Sequence, residues 1–150
     1  MSHNGIKRLR HLGQQYAYVS IKMHEAIAQK AGLPGTDHKY LGFLIVEGQM
    51  TAGELARLSG LTTGAVTGLI DRFEKKKLVK RQYAKEDRRK VIIVPDTKKI
   101  MALLEPLFTE FGKKTEEHLA SFSGRDIKII EAYLSRSIEI MNDTKNNLKK

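Results

Sequence analysis

The chain has 150 residues, 27 of them Lys or Arg against 17 Asp or Glu, and a formal net charge of +10. That length suits one domain, or one domain with dimerisation arms, and can bury a sizeable core. The absence of cysteine excludes disulfides, thiolate metal sites and thiol redox sensing, and no stretch approaches the roughly 20 apolar residues of a membrane span, so a cytoplasmic protein without a membrane partner is expected.

From Ile6 a helical pattern runs to about Lys30, with Ile6, Leu9, Leu12, Tyr16, Val19, Met23 and Ile27 on one stripe. Gly32 and Pro34 end it. Thr36 or Asp37 then caps a helix over DHKYLGFLIVEG. Its Tyr40, Leu41, Phe43, Leu44 and Ile45 are so nearly continuous that burial on most sides is expected. Thr51 and Glu54 form a capping box, and the helix that they open stops at Gly60, a favoured residue just past a helix end. Thr62 caps the next helix, roughly 62–76. Its Val66, Leu69, Ile70 and Phe73 recur at i, i+3, i+4 and i+7, one buried stripe. Two helices joined by a short Gly-containing turn form a helix-turn-helix. Residues 78–83 and 90–94 are β-rich runs around a charged segment, 84–89, which predicts a hairpin with a basic tip. Pro95 ends the second run. Asp96 caps a helix over about 97–120 that carries Ile100, Leu103, Leu104, Leu107, Phe108 and Phe111, and Pro106 inside it should kink it. Ser123 caps the last helix. There Ile127, Ile130, Leu134, Ser137, Met141, Thr144 and Leu148 alternate at spacings of three and four. That seam suits a partner helix, and an amphipathic core helix fits the same periodicity equally well.

The outward surface of helix 62–76 carries Thr63, Gly64, Thr67, Gly68 and Asp71. Each interior glycine costs about 1 kcal/mol relative to alanine. Close helix packing is one explanation for them. A thin face that enters the DNA major groove, which admits one α-helix, is the other, and their position away from the apolar stripe favours it. Charge points the same way. Residues 72–99 hold twelve Lys or Arg against four acids, so this window carries most of the chain's surplus. A basic run beside a helix-turn-helix reads as a phosphate-binding footprint.

The stretch LARLSGLTTGAVTGLIDRFEKKKLVKR, followed by EDRRKVIIV, resembles the winged helix-turn-helix of MarR-type transcriptional regulators over about 45 residues. The resemblance implies a mainly α fold with a small β wing: a winged helix-turn-helix plus dimerisation helices from both termini. Residues 36–95 would form the DNA-binding part, and 6–32 and 97–148 the dimerisation helices of a single domain spanning 1–150. Met50-Thr51 would complete a three-stranded wing sheet. A homodimer would then present two recognition helices to a pseudo-palindromic double-stranded DNA operator, with Ile6, Leu9, Ile127, Ile130, Leu134 and Met141 at the dimer contact. The expected function is sequence-specific DNA binding in transcription regulation, as a repressor released by a small-molecule effector.

On the DNA side, Thr62, Thr63, Gly64, Thr67 and Gly68 would lie at the groove. Thr62 and Thr63, at the helix N-terminus, suit bases or phosphates, and Arg72 and Lys75 suit the backbone. In the wing, the resemblance implies that Arg89 enters the minor groove, positioned by Asp87, with Arg88 next in line. Three positions depart from the family pattern: Gly68 where many relatives have Arg, Lys77 where Gly is common, and Pro95-Asp96 where Leu-Thr is usual. Specificity would therefore rest on the threonines, the wing and DNA shape.

No nucleophile–base pair, paired carboxylates or phosphate-cradling motif occurs at a meaningful spacing, so no enzyme, cofactor or metal site is expected. His11, His24, His38 and His118 are scattered, and none forms an HxxxH pair. The alternative reading is a winged helix used for protein–protein contact without DNA. It would need apolar residues, in place of threonine and glycine, on the outward face.

Overall fold

The computed structural model describes residues 3–87 and 89–149. Six helices and three strands follow in the order α1 (His3–Lys30), α2 (His38–Glu47), β1 (Met50–Thr51), α3 (Ala52–Ser59), α4 (Thr63–Lys75), β2 (Val79–Tyr83), β3 (Val91–Pro95), α5 (Thr97–Ala120) and α6 (Gly124–Leu148). The chain divides into two compact units, Met1–Leu107 and Phe108–Lys150. The first helix begins at His3 rather than at Ile6.

Local chemistry accounts for most boundaries. The Thr51 hydroxyl accepts from the Glu54 N–H while the Glu54 carboxylate accepts from the Thr51 N–H, so the capping box is complete. These bonds hold the Glu54 carboxyl below its ordinary value. Thr62, Asp96 and Ser123 cap α4, α5 and α6 by accepting from the N–H of Ala65, Lys99 and Asp126. Each such cap contributes about 1 kcal/mol. The expected cap of α2 is different. Asp37 has helical backbone angles and makes no capping bond; its carboxylate turns to Arg72 instead.

The sheet order is β1-β3-β2, antiparallel throughout. Met50 pairs with Ile93, and β2 pairs with β3 from Val79 opposite Pro95 to Tyr83 opposite Val91. The core of the first unit gathers Leu41 and Leu44 of α2, Leu55 of α3, the full stripe of α4, Leu78, Val79, Ile93 and Ile100. Only one stripe of α2 enters it, because the core reaches no further than the side bearing His38, Leu41 and Leu44. Phe43 is exposed and Val46 is 80% exposed, so the expected burial on most sides is corrected. Pro106 lies within a continuous α5. It removes the hydrogen bond to the carbonyl of residue 102, and the two units divide just beyond it, after Leu107. In the second unit no residue of α6 is buried. Among the described residues, no helix is long and apolar enough to cross a membrane, and no group of three or more His, Cys, Asp or Glu is placed to hold a metal.

Two helix ends use the same device with different residues. After α1, Gly32 takes φ +69, with Gly32 N–H donating to Gln29 O and Leu33 N–H to Ala28 O. After α4, Lys77 takes φ +57, with Lys77 N–H donating to Glu74 O and Leu78 N–H to Phe73 O. Both are Schellman closures. The glycine that the resemblance leads one to expect here is absent, yet the left-handed turn into the wing is kept. A side chain in that conformation costs about 1–2 kcal/mol. Lys77→Gly is therefore expected to stabilise the fold by about 1 kcal/mol, seen as a higher urea midpoint; an unchanged or lowered midpoint would show that the lysine is unstrained.

Two of the scattered histidines meet. His24 Nδ1 of α1 lies 2.9 Å from His38 Nε2 of α2, with the rings stacked 5.1 Å apart. Burial lowers the pKa of both from 6.5. Lys39 adds to the lowering at each, and at His38 so does His24, against Asp37, which raises it. Between the lowered folded values and 6.5 the unfolded chain binds more protons, so stability rises with pH there and is lost as pH falls. The melting temperature should drop on acidification below 6.5, and His24→Gln should make that drop shallower. A wild-type slope in that variant would remove the pair as its source.

Candidate nucleic-acid interface

Helix α4 is oriented by its apolar side. Val66, Leu69, Ile70 and Phe73 are 1% exposed or less, and burying each contributes about 1.5–3 kcal/mol. With about 100° of rotation per residue, this places Gly64, Gly68, Asp71 and Lys75 on the opposite side, Thr63 and Thr67 on one flank and Arg72 on the other. Thr62, Thr63, Gly64, Thr67 and Lys75 are exposed and Gly68 is half-buried.

The hydroxyls are differently committed. Thr62 Oγ1 accepts from the Ala65 N–H, which leaves its own O–H proton available. Thr67 Oγ1 donates to Thr63 O at 3.0 Å, so it offers outward a lone pair and a methyl group. A Cβ at Gly64 would meet nothing within 4 Å, so packing does not explain that glycine. A Cβ at Gly68 would stand 3.3 Å from Arg72 Nη1. This glycine leaves room for a neighbouring side chain as well as thinning the face.

Arg72 Nε donates to Asp37 Oδ2 at 2.6 Å. Arg81, on β2, bonds the carboxylates of Asp71 and Glu74 on α4, and its N–H donates to Glu74 Oε1 at 3.3 Å. Burial lowers the Arg81 pKa, and its bonds to Asp71 and Glu74 outweigh that, so the net direction is upward. Two of the arginines counted in the basic footprint, Arg72 and Arg81, are thus matched by carboxylates. Sequence reasoning missed the pairs because the partners lie 35, 10 and 7 residues away, beyond any local pattern.

The cations left exposed and without an ion pair among the described residues include Lys75, Lys80, Lys85 and Arg89. At the hairpin tip, Asp87 Oδ1 accepts from the Arg89 N–H at 2.9 Å and Asp87 O from the Lys90 N–H at 2.9 Å. Asp87 therefore shapes the tip through the backbone, as an Asx turn. No Asp87–Arg89 ion pair occurs among the described residues, so the guanidinium of Arg89 remains open to a partner. Arg88 lies outside the described residues. Of the apolar positions expected at a dimer contact, Ile6, Leu9, Leu134 and Met141 are 50% or more exposed, and Ile127 and Ile130 are half-buried.

The MarR family profile matches residues 31–90. The HTH-type transcriptional regulator YcgE of Bacillus subtilis (strain 168) is 35% identical over 130 residues, which cover 87% of this chain and 84% of YcgE. The chain belongs to the MarR family of transcriptional regulators. Its winged fold is shared with a MarR family protein from Bacillus stearothermophilus (TM-score 0.72, 23% identity, 95% of this chain and 99% of that one). It is shared as well with the MepR of S. aureus solved as a MepR–DNA complex (TM-score 0.63, 22% identity, 87% of this chain and 96% of that one). The mainly α architecture with a three-stranded wing sheet agrees with the sequence expectation.

Proposed function

We propose that this regulator binds duplex DNA as a homodimer, with α4 of each copy in the major groove of one half of a pseudo-palindromic operator and the β2–β3 hairpin in the adjacent minor groove. The observation that carries this reading is the outward face of α4: threonines and glycines with no large side chain, ending in Lys75, beside a cationic hairpin tip. Such a face can approach base edges closely. The fold's use in the MepR–DNA complex supports the same direction. A face built for a protein partner would expose large apolar residues, and every large apolar side chain of α4 is buried.

In this reading Thr62 donates its free O–H to a phosphate at the positive end of α4. Thr63 and Thr67 meet base edges, the Thr67 methyl suiting a thymine methyl, and Gly64 and Gly68 permit the approach. Lys75 adds backbone attraction. Arg89, with its N–H fixed by Asp87, enters the minor groove with Arg88 beside it in sequence, where an arginine responds to groove width and potential. The outcome proposed is repression, released by a small-molecule effector, as the family resemblance implies.

The second copy is proposed from exposed apolar surface. Ile6, Leu9, Leu12, Tyr16 and Val19 on α1, and Leu134, Ile138 and Met141 on α6, are each about half exposed or more in one chain, so each helix by itself leaves a row of apolar side chains open, the mark of an interaction surface. Two copies also double the phosphate contacts across a two-fold site.

Arg89→Ala should weaken operator binding by about 1–3 kcal/mol in a gel-shift titration while sedimentation still reports a dimer. Unchanged affinity removes the wing from the contact. Leu134→Glu should shift sedimentation toward monomer and lower operator affinity with it; a persisting dimer places the contact elsewhere.

A further inference from the structure

Arg72 stands on the flank of the outward face, yet a protein carboxylate already holds it. Its Nε donates to Asp37 Oδ2 at 2.6 Å, and the Asp37 side chain is only 13% exposed. Asp37 sits where a helix cap is expected and caps nothing. Its backbone is fixed on both sides, its N–H donating to Pro34 O and its carbonyl accepting from the Tyr40 N–H, so the carboxylate is presented on a rigid turn. Gly68, one helical turn before Arg72, completes the arrangement. A methyl group there would lie 3.3 Å from Arg72 Nη1, so the guanidinium held by Asp37 would have to give by a few tenths of an ångström to admit it.

We infer that Asp37 holds Arg72 off the DNA backbone. The arginine braces the recognition helix against the turn at 34–37 instead of adding a phosphate contact, and Asp37 thereby sets the strength of sequence-independent attraction. This rests on the DNA-binding reading above. A phosphate contact attracts every sequence alike and steepens the salt dependence of binding, whereas an arginine matched by a carboxylate does neither. Gly68 is then a specificity-determining position twice over: it thins the groove face and keeps Arg72 laid against Asp37.

The test is a two-by-two set of Asp37→Ala and Arg72→Gln, titrated against operator and non-operator duplex over a range of salt. Asp37→Ala should raise non-operator affinity several-fold at low salt and steepen the plot of log K against log salt by about 1.8, roughly 0.9 for each of the two copies. In the Arg72→Gln background the same change should leave the slope unaltered. Arg72→Gln alone should weaken operator binding through the loosened helix, without lowering the slope. Steepening by Asp37→Ala in both backgrounds would mean direct repulsion by the carboxylate and overturn the inference. So would a slope lowered by about 1.8 in Arg72→Gln, which would place the arginine of each copy on a phosphate already. Asp37→Asn, which keeps an oxygen for Nε, should give the same direction if the alanine variant folds poorly. Read by urea midpoint, the same set should be non-additive without any DNA, and additive shifts would overturn the brace. Failure of the wild-type chain to retain any duplex would sink the DNA-binding reading itself, and the urea set would still judge the ion pair.

Discussion

Burial of Val66, Leu69, Ile70 and Phe73 governs what the rest of the first unit can do. These four side chains join Leu41, Leu44, Leu55 and Ile93 in one core, and a helix seated on one stripe has no freedom in what it turns outward. Rotation of α4 by one residue would bury Thr67 and expose Leu69, replacing hydrogen-bonding groups with a methyl-rich ridge. The slender polar face is thus a consequence of core packing, and the two caps that bound α3 and α4 keep it in register.

Around that face, most acids are engaged by protein cations or by backbone. Arg81 answers Asp71 and Glu74, Arg72 answers Asp37, and Asp87 is turned into the hairpin tip. The pairs act as struts. Arg81 ties the strand at the base of the wing to the recognition helix, so the hairpin leaves α4 in a defined direction that the left-handed Lys77 also enforces. Exposed ion pairs are worth little on their own. Here the Arg81 side chain is 24% exposed and bonded to two carboxylates, which favours a fixed geometry over a large stabilisation. What remains open to a partner is a smaller set of lysines and Arg89.

The apolar residues of α1 and α6 pose a different constraint. A single chain leaves them facing solvent, which is unfavourable in proportion to the area exposed. In the proposed dimer, burial against another copy would resolve this and supply the second reading head that a two-fold site requires.

Much of this was legible in the residues. Thr51 with Glu54, Gly60, Thr62, Asp96 and Ser123 marked helix ends because capping is a contest among neighbours in sequence. The stripe of α4 and the short strand at Met50 were likewise readable from spacing and resemblance. Asp37 looked like a cap and is an ion-pair partner, Gly68 looked like groove space and also leaves room for Arg72, α2 looked buried on most sides and is not, and two histidines scattered in the sequence stack together. The ion pair and the histidine stack depend on groups brought from 14 or more residues away, the Gly68 contact on where Asp37 draws Arg72, and the exposure of α2 on how far the core extends past a helix. Periodicity decides which side of a helix is apolar. Only the folded chain decides which charge a given arginine meets, because electrostatic pairing follows distance in space and the sequence records distance along the chain.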